Sequence, residues 1–399
     1  MSQNDLDILI CGGGVAGAVA AGLLSQAGHR VGLVDSRRPR ETLPEADYDP
    51  RVVAISPGSR AILSAAGGWS QLDSDRLGPY ERMQVHSGKQ QIEFRASQHG
   101  LPMLGWIAEL PALQQAQWRA LAQQAGVRIL APARLGEVEL GRDRVRVELD
   151  DGQVIRTDLL IAADGARSRL RRQAGIAIKE WHYNQHALVT HVSTERPNSG
   201  IAWQRFTEYG PLALLPLADG RSSIVWSQTT ARVDGLMKLD DEAFLDQLNQ
   251  HQDSPFGPAT DCSIRHAIPL VRRKAQSLVK GRLVLLGDAA RTVHPLAGQG
   301  LNLGLADAAA LAEVLEGWTP GQDPATALAR YQRWRLSAGT LIGGGIHAIN
   351  ELAHGPGGAG RGLLGFGFGA AAHLWPLREA FVTRACGLDS DSPRLSRQA

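Results

Sequence analysis

Between Gly281 and Leu311 the chain reads GRLVLLGDAARTVHPLAGQGLNLGLADAAAL, and its chemistry is concentrated in one carboxylate and a pair of glycines. The apolar run 282–286 is bounded by glycines and reads as a buried strand. Gly287-Asp288 closes it in a tight turn, which sets the Asp288 carboxylate at the strand's carboxyl edge, where open α/β sheets bind ligands. His294-Pro295 keeps the chain extended, because the residue before a proline avoids the α region. Gly298-Gln299-Gly300 then leads into a helix expected over 301–315. Two glycines before a helix start let a flat anionic group approach backbone N–H groups, and the helix dipole adds partial positive charge there. The negatively charged edge of a reduced flavin ring is such a group.

A second chemistry-bearing stretch lies at the other end of the chain. The apolar strand 7–11 runs into Gly12-Gly13-Gly14-Val15-Ala16-Gly17, which fits G-x-G-x-x-G. A helix is expected over 18–27, then a strand over 31–34 closed by Asp35. The glycines suit a tight turn and close approach to a pyrophosphate, and the acid stands about 20 residues on, where a ribose hydroxyl is held. A lone fingerprint is weak, but here strand, helix, second strand and acid are in register, so the stretch reads as dinucleotide-binding.

The intervening elements must position these two ends. Arg51, in Asp49-Pro50-Arg51, precedes a strand over 52–56 and a helix over 57–66. Residues 83–94 suggest strands outside the nucleotide fold. Helix 110–125, strand 127–130, and a hairpin of 144–149 with 153–157 follow. A continuous apolar run over 158–163 ends in Asp164-Gly165. The set Arg167, Arg169, Arg171 and Arg172 reads either as a solvated face or as an attractor for a nucleotide phosphate. Residues 176–272 carry Trp181, Trp203 and Trp226, lack the βαβ rhythm, and read as a mostly antiparallel domain roofing a cavity. A helix is expected over 324–336. The Gly-, Ala- and Leu-rich stretch 339–375, notably 362–369, reads either as close-packed helix or as a weakly amphipathic surface for lipid or a partner.

Composition narrows the function classes. The 399 residues suit about two domains, and a net charge of +2 without a run of five like charges argues against a nucleic-acid partner. Cys11, Cys262 and Cys386 are too scattered for a disulfide framework or a metal-ligand pattern. The N-terminus has no secretory segment, and no apolar run approaches the ~20 residues of a membrane span. The expected setting is a reducing cytoplasm, with a peripheral contact at an inner membrane left open.

Taken together, G-x-G-x-x-G, Asp49-Pro50-Arg51, Asp164-Gly165, and Gly287-Asp288 with Pro295 and Gly298-Gln299-Gly300 closely resemble the single-component FAD-dependent aromatic hydroxylases. These are class A flavoprotein monooxygenases with the para-hydroxybenzoate hydroxylase fold. In the strings DPRVVAIS (49–56), GPLALLPL (210–217), Ile268-Pro269-Leu270 and GQGLNLGL (298–305) with Asp307, the chain resembles the ubiquinone-biosynthesis hydroxylases. The resemblance spans nearly the whole chain and implies an α/β fold. A Rossmann-like FAD-binding domain is expected from 1–80, 105–175 and 273–340. An inserted antiparallel-sheet substrate domain is expected from 81–104 and 176–272, with a C-terminal helical segment, 341–399.

Carried over by motif, Gly12, Gly14 and Gly17 flank the pyrophosphate of a noncovalent FAD, and Asp35 its ribose, where the family usually has Glu. Arg51 and Gln114 contact FAD. Gly287 and Asp288 serve the ribityl or pyrophosphate region. Asp164-Gly165 resembles a motif linked to both FAD and NAD(P)H. Pro295, Gly298, Gln299, Gly300, Leu301 and Asn302 line the isoalloxazine. Arg291 stands where the family commonly has His, and Ala306 where Arg is frequent. The implied chemistry is reduction of FAD by a transiently bound NAD(P)H, addition of O2 to give a flavin hydroperoxide, and attack on an electron-rich phenol in a dry cavity. His191, His266 and His294 are the histidines considered as base; none stands out, and the catalytic residue stays unassigned. The implied substrate is a prenylated phenol of ubiquinone synthesis, with other proteins of that pathway as partners. A small soluble aromatic compound is the alternative. Flavin-dependent halogenation, prenyl-chain reduction and a flavin-bearing scaffold are rival classes, and the Trp-x-Trp-x-Ile-Pro string wanted for halogenation is absent.

Overall fold

Two large sheets organise a computed structural model that describes residues 5–44, 47–293, 299–354 and 375–399. The first is built on Val279–Lys280, Leu283–Leu285, Val154–Ala162, Asp5–Cys11, Val31–Val34 and Val127–Leu130, in that spatial order. Its central pairings are parallel. A parallel sheet is covered on both faces, so its strands are continuous apolar runs rather than alternating ones; Ile8, Leu9, Ile10, Leu160, Ile161 and Val284 are all fully buried. The runs expected over 153–157 and 158–163 are one strand, Val154–Ala162. No turn residue separates Thr157 from Asp158, so the strand continues from its antiparallel pairing with Val145–Leu149 into its parallel pairing with Leu283–Leu285.

The second sheet has nine strands and is mostly antiparallel. Arg82–Ser87 and Gln90–Arg95 join it through Ile201–Thr207, far away in sequence. Alternation along its strands gives it two different faces. Trp203, Leu212, Leu214, Ile224 and Trp226 turn one way and pack on Val233, Leu236, Phe244 and Leu248, from helices Thr230–Leu236 and Asp241–His251. Ala202, Gln204, Ala213, Leu215, Val225 and Ser227 turn the other way and line a cavity.

A three-stranded sheet of Val52–Ile55, Gly105–Glu109 and Gly78–Tyr80 lies alongside. A polar clasp ties it to the turn before strand Ser222–Thr229 of the second sheet. Arg76 makes a two-pronged contact with Glu109 at 2.6 and 2.9 Å, Glu109 accepts from the Asp49 amide at 2.6 Å, and the Tyr48 ring lies between the guanidiniums of Arg76 and Arg221, at 4.9 and 5.4 Å. Helix Gln299–Val314 begins two residues before the expected 301. The helix expected over 324–336 runs on as Ala325–His354. The glycine-rich stretch 362–369 lies outside the described residues. No helix among the described residues is long and apolar enough to cross a membrane.

Candidate functional site

The fingerprint glycines do three different jobs. Gly12 has φ +109°, and a Cβ there would sit 2.2 Å from the Ala163 carbonyl oxygen. A Cβ on Gly17 would sit 2.0 Å from the Gly12 oxygen, so this glycine lets helix Val15–Gln26 close onto the loop. A Cβ on Gly14 would meet nothing within 4 Å: the loop holds open space at the helix N-terminus, where N–H groups and the dipole favour an anion. Asp35 braces the loop, accepting from the Gly13 amide at 2.6 Å. Gln114 Nε2 and Trp118 Nε1 both donate to the Gly13 carbonyl, at 2.8 and 2.7 Å. The contribution of Trp118 was not legible in the sequence, since only the folded helix Leu110–Ala122 brings it to the loop.

The Gly287–Ala289 turn follows Leu283–Leu285. Gly287 has φ +60°, and a Cβ on Gly304 would meet both Ala16 Cβ and Gly287 Cα at 3.3 Å. Glycine at these positions brings the two helices together beneath the turn. Arg171, buried, donates to the Ala289 carbonyl at 2.9 Å and to Ala166 at 3.1 Å. Arg169 donates to Leu135 and Gly136. Half of the arginine set therefore braces backbone. Asp288 has no hydrogen bond or ion pair among the described residues. Its accessible surface lines a cavity, and desolvation by the surrounding protein pushes its carboxyl pKa upward, opposed by the charge of Arg273.

That cavity, about 510 Å³, is continuous from the fingerprint to the second sheet. Gly14 and Gly17 bound it, as do Gly287, Asp288, Gln299, Gly300, Leu301 and Asn302. Asn302 pins its helix to the small sheet, donating to Ala54 O at 2.9 Å and accepting from the Ser56 amide at 3.2 Å. A further wall is apolar: Tyr80, Met83, Phe94, Leu104, Val382 and Cys386. Burial pushes the Cys386 thiol up to about 12, so it stays protonated. The shape fits a dinucleotide: an open cradle at a helix N-terminus, an unpaired carboxylate farther along, and a second helix start beside a flat-walled space.

Other expected residues stand apart from the cavity wall. Arg51 is 57% exposed at its side chain and pairs with Asp49 at 2.9 Å. Asp164 uses Oδ2 to cap the amides of Arg169 and Leu170, while its Oδ1 is buried without a partner; its neighbours Ala163 and Gly165 reach the cavity. His191 is buried edge-on to Tyr48 at 6.0 Å, and desolvation lowers its pKa. His266 is exposed on His266–Ala275. His294, Pro295 and Gly298 lie outside the described residues. Arg291, buried, pairs with Asp307 at 2.8 Å, and Arg335 reaches the same carboxylate at 2.6 Å. Both departures from the family pattern, Arg291 and Ala306, thus lie around this one aspartate.

A family model for a FAD binding domain matches residues 5–342. The chain is 35% identical over 354 residues to 3-demethoxyubiquinol 3-hydroxylase of Escherichia coli, covering 87% of this chain and 89% of that one. It is 34% identical over 402 residues to ubiquinone hydroxylase UbiL of Rhodospirillum rubrum, covering 98% and 92%. Among solved structures, PqsL of Pseudomonas aeruginosa has a TM-score of 0.77 at 25% identity, over 91% of this chain and 100% of that one. HpxO of Klebsiella pneumoniae, in complex with FAD and uric acid, has a TM-score of 0.74 at 20% identity over 97% of each, a likeness of fold. A cradle shaped for a dinucleotide, joined to a roofed cavity, is what such a protein requires, and the chain belongs to the FAD-dependent aromatic-ring monooxygenases.

Proposed function

We propose that this chain hydroxylates the aromatic ring of a polyprenylated phenol in ubiquinone biosynthesis. NAD(P)H supplies two electrons, one oxygen atom of O2 enters the ring, and the other leaves as water. When bound, FAD carries the electrons to oxygen. In this reading Gly12, Gly14 and Gly17 flank its pyrophosphate, Asp35 meets its ribose beside the brace from Gln114, Asp288 accepts from its ribityl end, and residues 298–302 lie along its ring. Arg51 and Asp164 contact FAD or NAD(P)H after a local shift from the pairings described above. FAD is held without a covalent bond.

The observation that carries the reading is the continuity of the cavity. The same space that begins at the fingerprint ends against apolar side chains of two separate parts of the chain, Met83 and Phe94 from the second sheet, and Val382 from helix Trp375–Ala385 with Cys386 just after it. An apolar wall excludes water from the reacting ring and rewards a hydrocarbon tail at about 0.8 kcal/mol per buried CH₂. Of the run 210–217, only Pro211, Ala213 and Leu215 face this space; Leu212 and Leu214 pack behind the sheet. The names of the two hydroxylase relatives, one acting on a demethoxyubiquinol, support the same substrate class. A prenylated substrate also favours a peripheral membrane contact and handover from other proteins of the pathway.

The test is deletion of the gene followed by mass spectrometry of quinone intermediates. Build-up of a prenylated phenol lacking one hydroxyl is expected, and it identifies the ring position. An unchanged quinone profile in a strain without a redundant hydroxylase leaves a small soluble aromatic as the substrate.

A further inference from the structure

We propose that Gln204 and Ser227 are positioning residues that hold the substrate ring by its neutral oxygen substituents. The inference rests on the hydroxylase reading above and names what that site recognises. Gln204 lies on Ile201–Thr207 and Ser227 on Ser222–Thr229, with Gly210–Pro216 between them. Both face the cavity. Both are at least nine-tenths buried, at 8% and 2% exposure, and neither side chain has a hydrogen-bond partner among the described residues. Their polar atoms are therefore turned to the cavity and not to other protein groups, and a polar ligand seated on this wall takes up the hydrogen bonds that water holds there otherwise.

The register defines a platform between them. Gln204 pairs with Ala213, which pairs with Val225, and Ser227 is the next residue on the same face. Two strand spacings of about 4.8 Å and one two-residue step of about 6.6 Å put the two Cα atoms roughly 12 Å apart. Ala213 and Val225 form a small apolar floor across that distance. The span suits a flat ring on the floor, with oxygens toward both ends and a hydrogen bond of about 2.9 Å at each. Gln offers a donor and an acceptor, and Ser a hydroxyl that does either, so the pair suits phenol, quinol or methoxyl oxygens. An aromatic carboxylate calls for a cation on the same wall. Arg205, the nearest in sequence, alternates to the opposite face and pairs with Asp253 at 2.6 Å.

The test uses FAD-loaded enzyme with Gln204→Leu, Ser227→Ala and Ser227→Thr, a neutral short-chain prenylated phenol and an aromatic carboxylic acid of similar size. NAD(P)H consumption, hydroxylated product and hydrogen peroxide are measured together with flavin content and melting temperature. Loss of one neutral hydrogen bond predicts a three- to tenfold fall in kcat/KM, roughly, for the neutral phenol. It also predicts a shift of NAD(P)H consumption from product to peroxide, with flavin content and melting temperature unchanged and Ser227→Thr restoring coupling. A purely structural role moves melting temperature or flavin content and leaves coupling alone, and that result overturns the inference, as do variants with wild-type KM and coupling. If the wild-type enzyme turns over the acid and rejects the neutral phenol, the substrate reading and this inference both fall. If it accepts neutral phenols regardless of tail, only the prenyl reading falls, and the three variants decide the inference on the tail-less phenol.

Discussion

Gly14→Ala separates cofactor binding from folding. Gly14 has φ −62° and ψ 170°, a conformation open to any L residue, and a Cβ built there meets nothing within 4 Å. In the flavin-free chain the substitution introduces no clash. The loss of unfolded-state freedom stabilises by about 0.4–1 kcal/mol, and the poorer helix N-cap offsets this by a similar amount. Net stability therefore stays within about 1 kcal/mol of wild type. In the FAD complex the added methyl intrudes on the space assigned to the pyrophosphate. Overpacking of this kind costs about 1–3 kcal/mol, which is a weakening of roughly 5- to 150-fold in Kd. Gly17→Ala is the contrast, because its Cβ lands 2.0 Å from the Gly12 oxygen and damages the fold itself. The assay is thermal melting of deflavinated protein alongside FAD titration by quenching of flavin fluorescence. Wild-type FAD affinity in Gly14→Ala, or flavin-free destabilisation as large as that of Gly17→Ala, refutes the reasoning.

Asp288→Ala, which removes the acceptor, is expected to weaken FAD binding about tenfold or more, since a hydrogen bond to a charged group is worth about 1.5–3 kcal/mol; equal flavin content at limiting FAD contradicts the assignment. Because burial holds the Asp288 carboxyl pKa above its ordinary value, the folded flavin-free chain binds this proton more tightly than the unfolded chain. Stability from this group is therefore lost as pH rises from the ordinary carboxylate value through the raised one. Asp288→Asn should flatten that part of the stability profile in melts of flavin-free protein, and an unchanged slope counts against it. Asp307→Ala strands the Arg291 and Arg335 guanidiniums, both buried, and should cost about 3–5 kcal/mol in denaturant unfolding; a loss below about 1 kcal/mol, the scale of an exposed pair, shows that the cluster is not the buried ion pair described.

The parts of the site that were legible in the sequence are those whose chemistry is local. Gly12 to Gly17, Asp35 and Gly287-Asp288 announce themselves because a turn, a close approach and a strand-end carboxylate are all set within a few residues of one another. Continuous apolar runs marked the parallel strands of the first sheet, and 210–217 and 223–226 in the second, while Ile178–Thr194 and Ile201–Thr207 were not singled out; the junction at Thr157-Asp158 had no sequence mark, since one strand serves two neighbours there. What could not be read is what long-range packing assembles. Trp118 and Arg171 are ordinary helix residues until the fold sets them against Gly13 and Ala289. Gln204 and Ser227 differ from Arg205 and Trp226 only in the face they take. His191 illustrates the converse: its residue type suggested a base, and its place beside Tyr48 is inside the clasp, away from the cavity wall.

The central claim is tested most directly by incubating purified, FAD-loaded protein with NAD(P)H, a prenylated phenol and isotopically labelled O2, and weighing the product. The account predicts a product heavier by one labelled oxygen on the ring, formed in step with NAD(P)H consumption. Consumption of NAD(P)H with only labelled hydrogen peroxide formed, while a tail-less aromatic compound is hydroxylated efficiently, contradicts it.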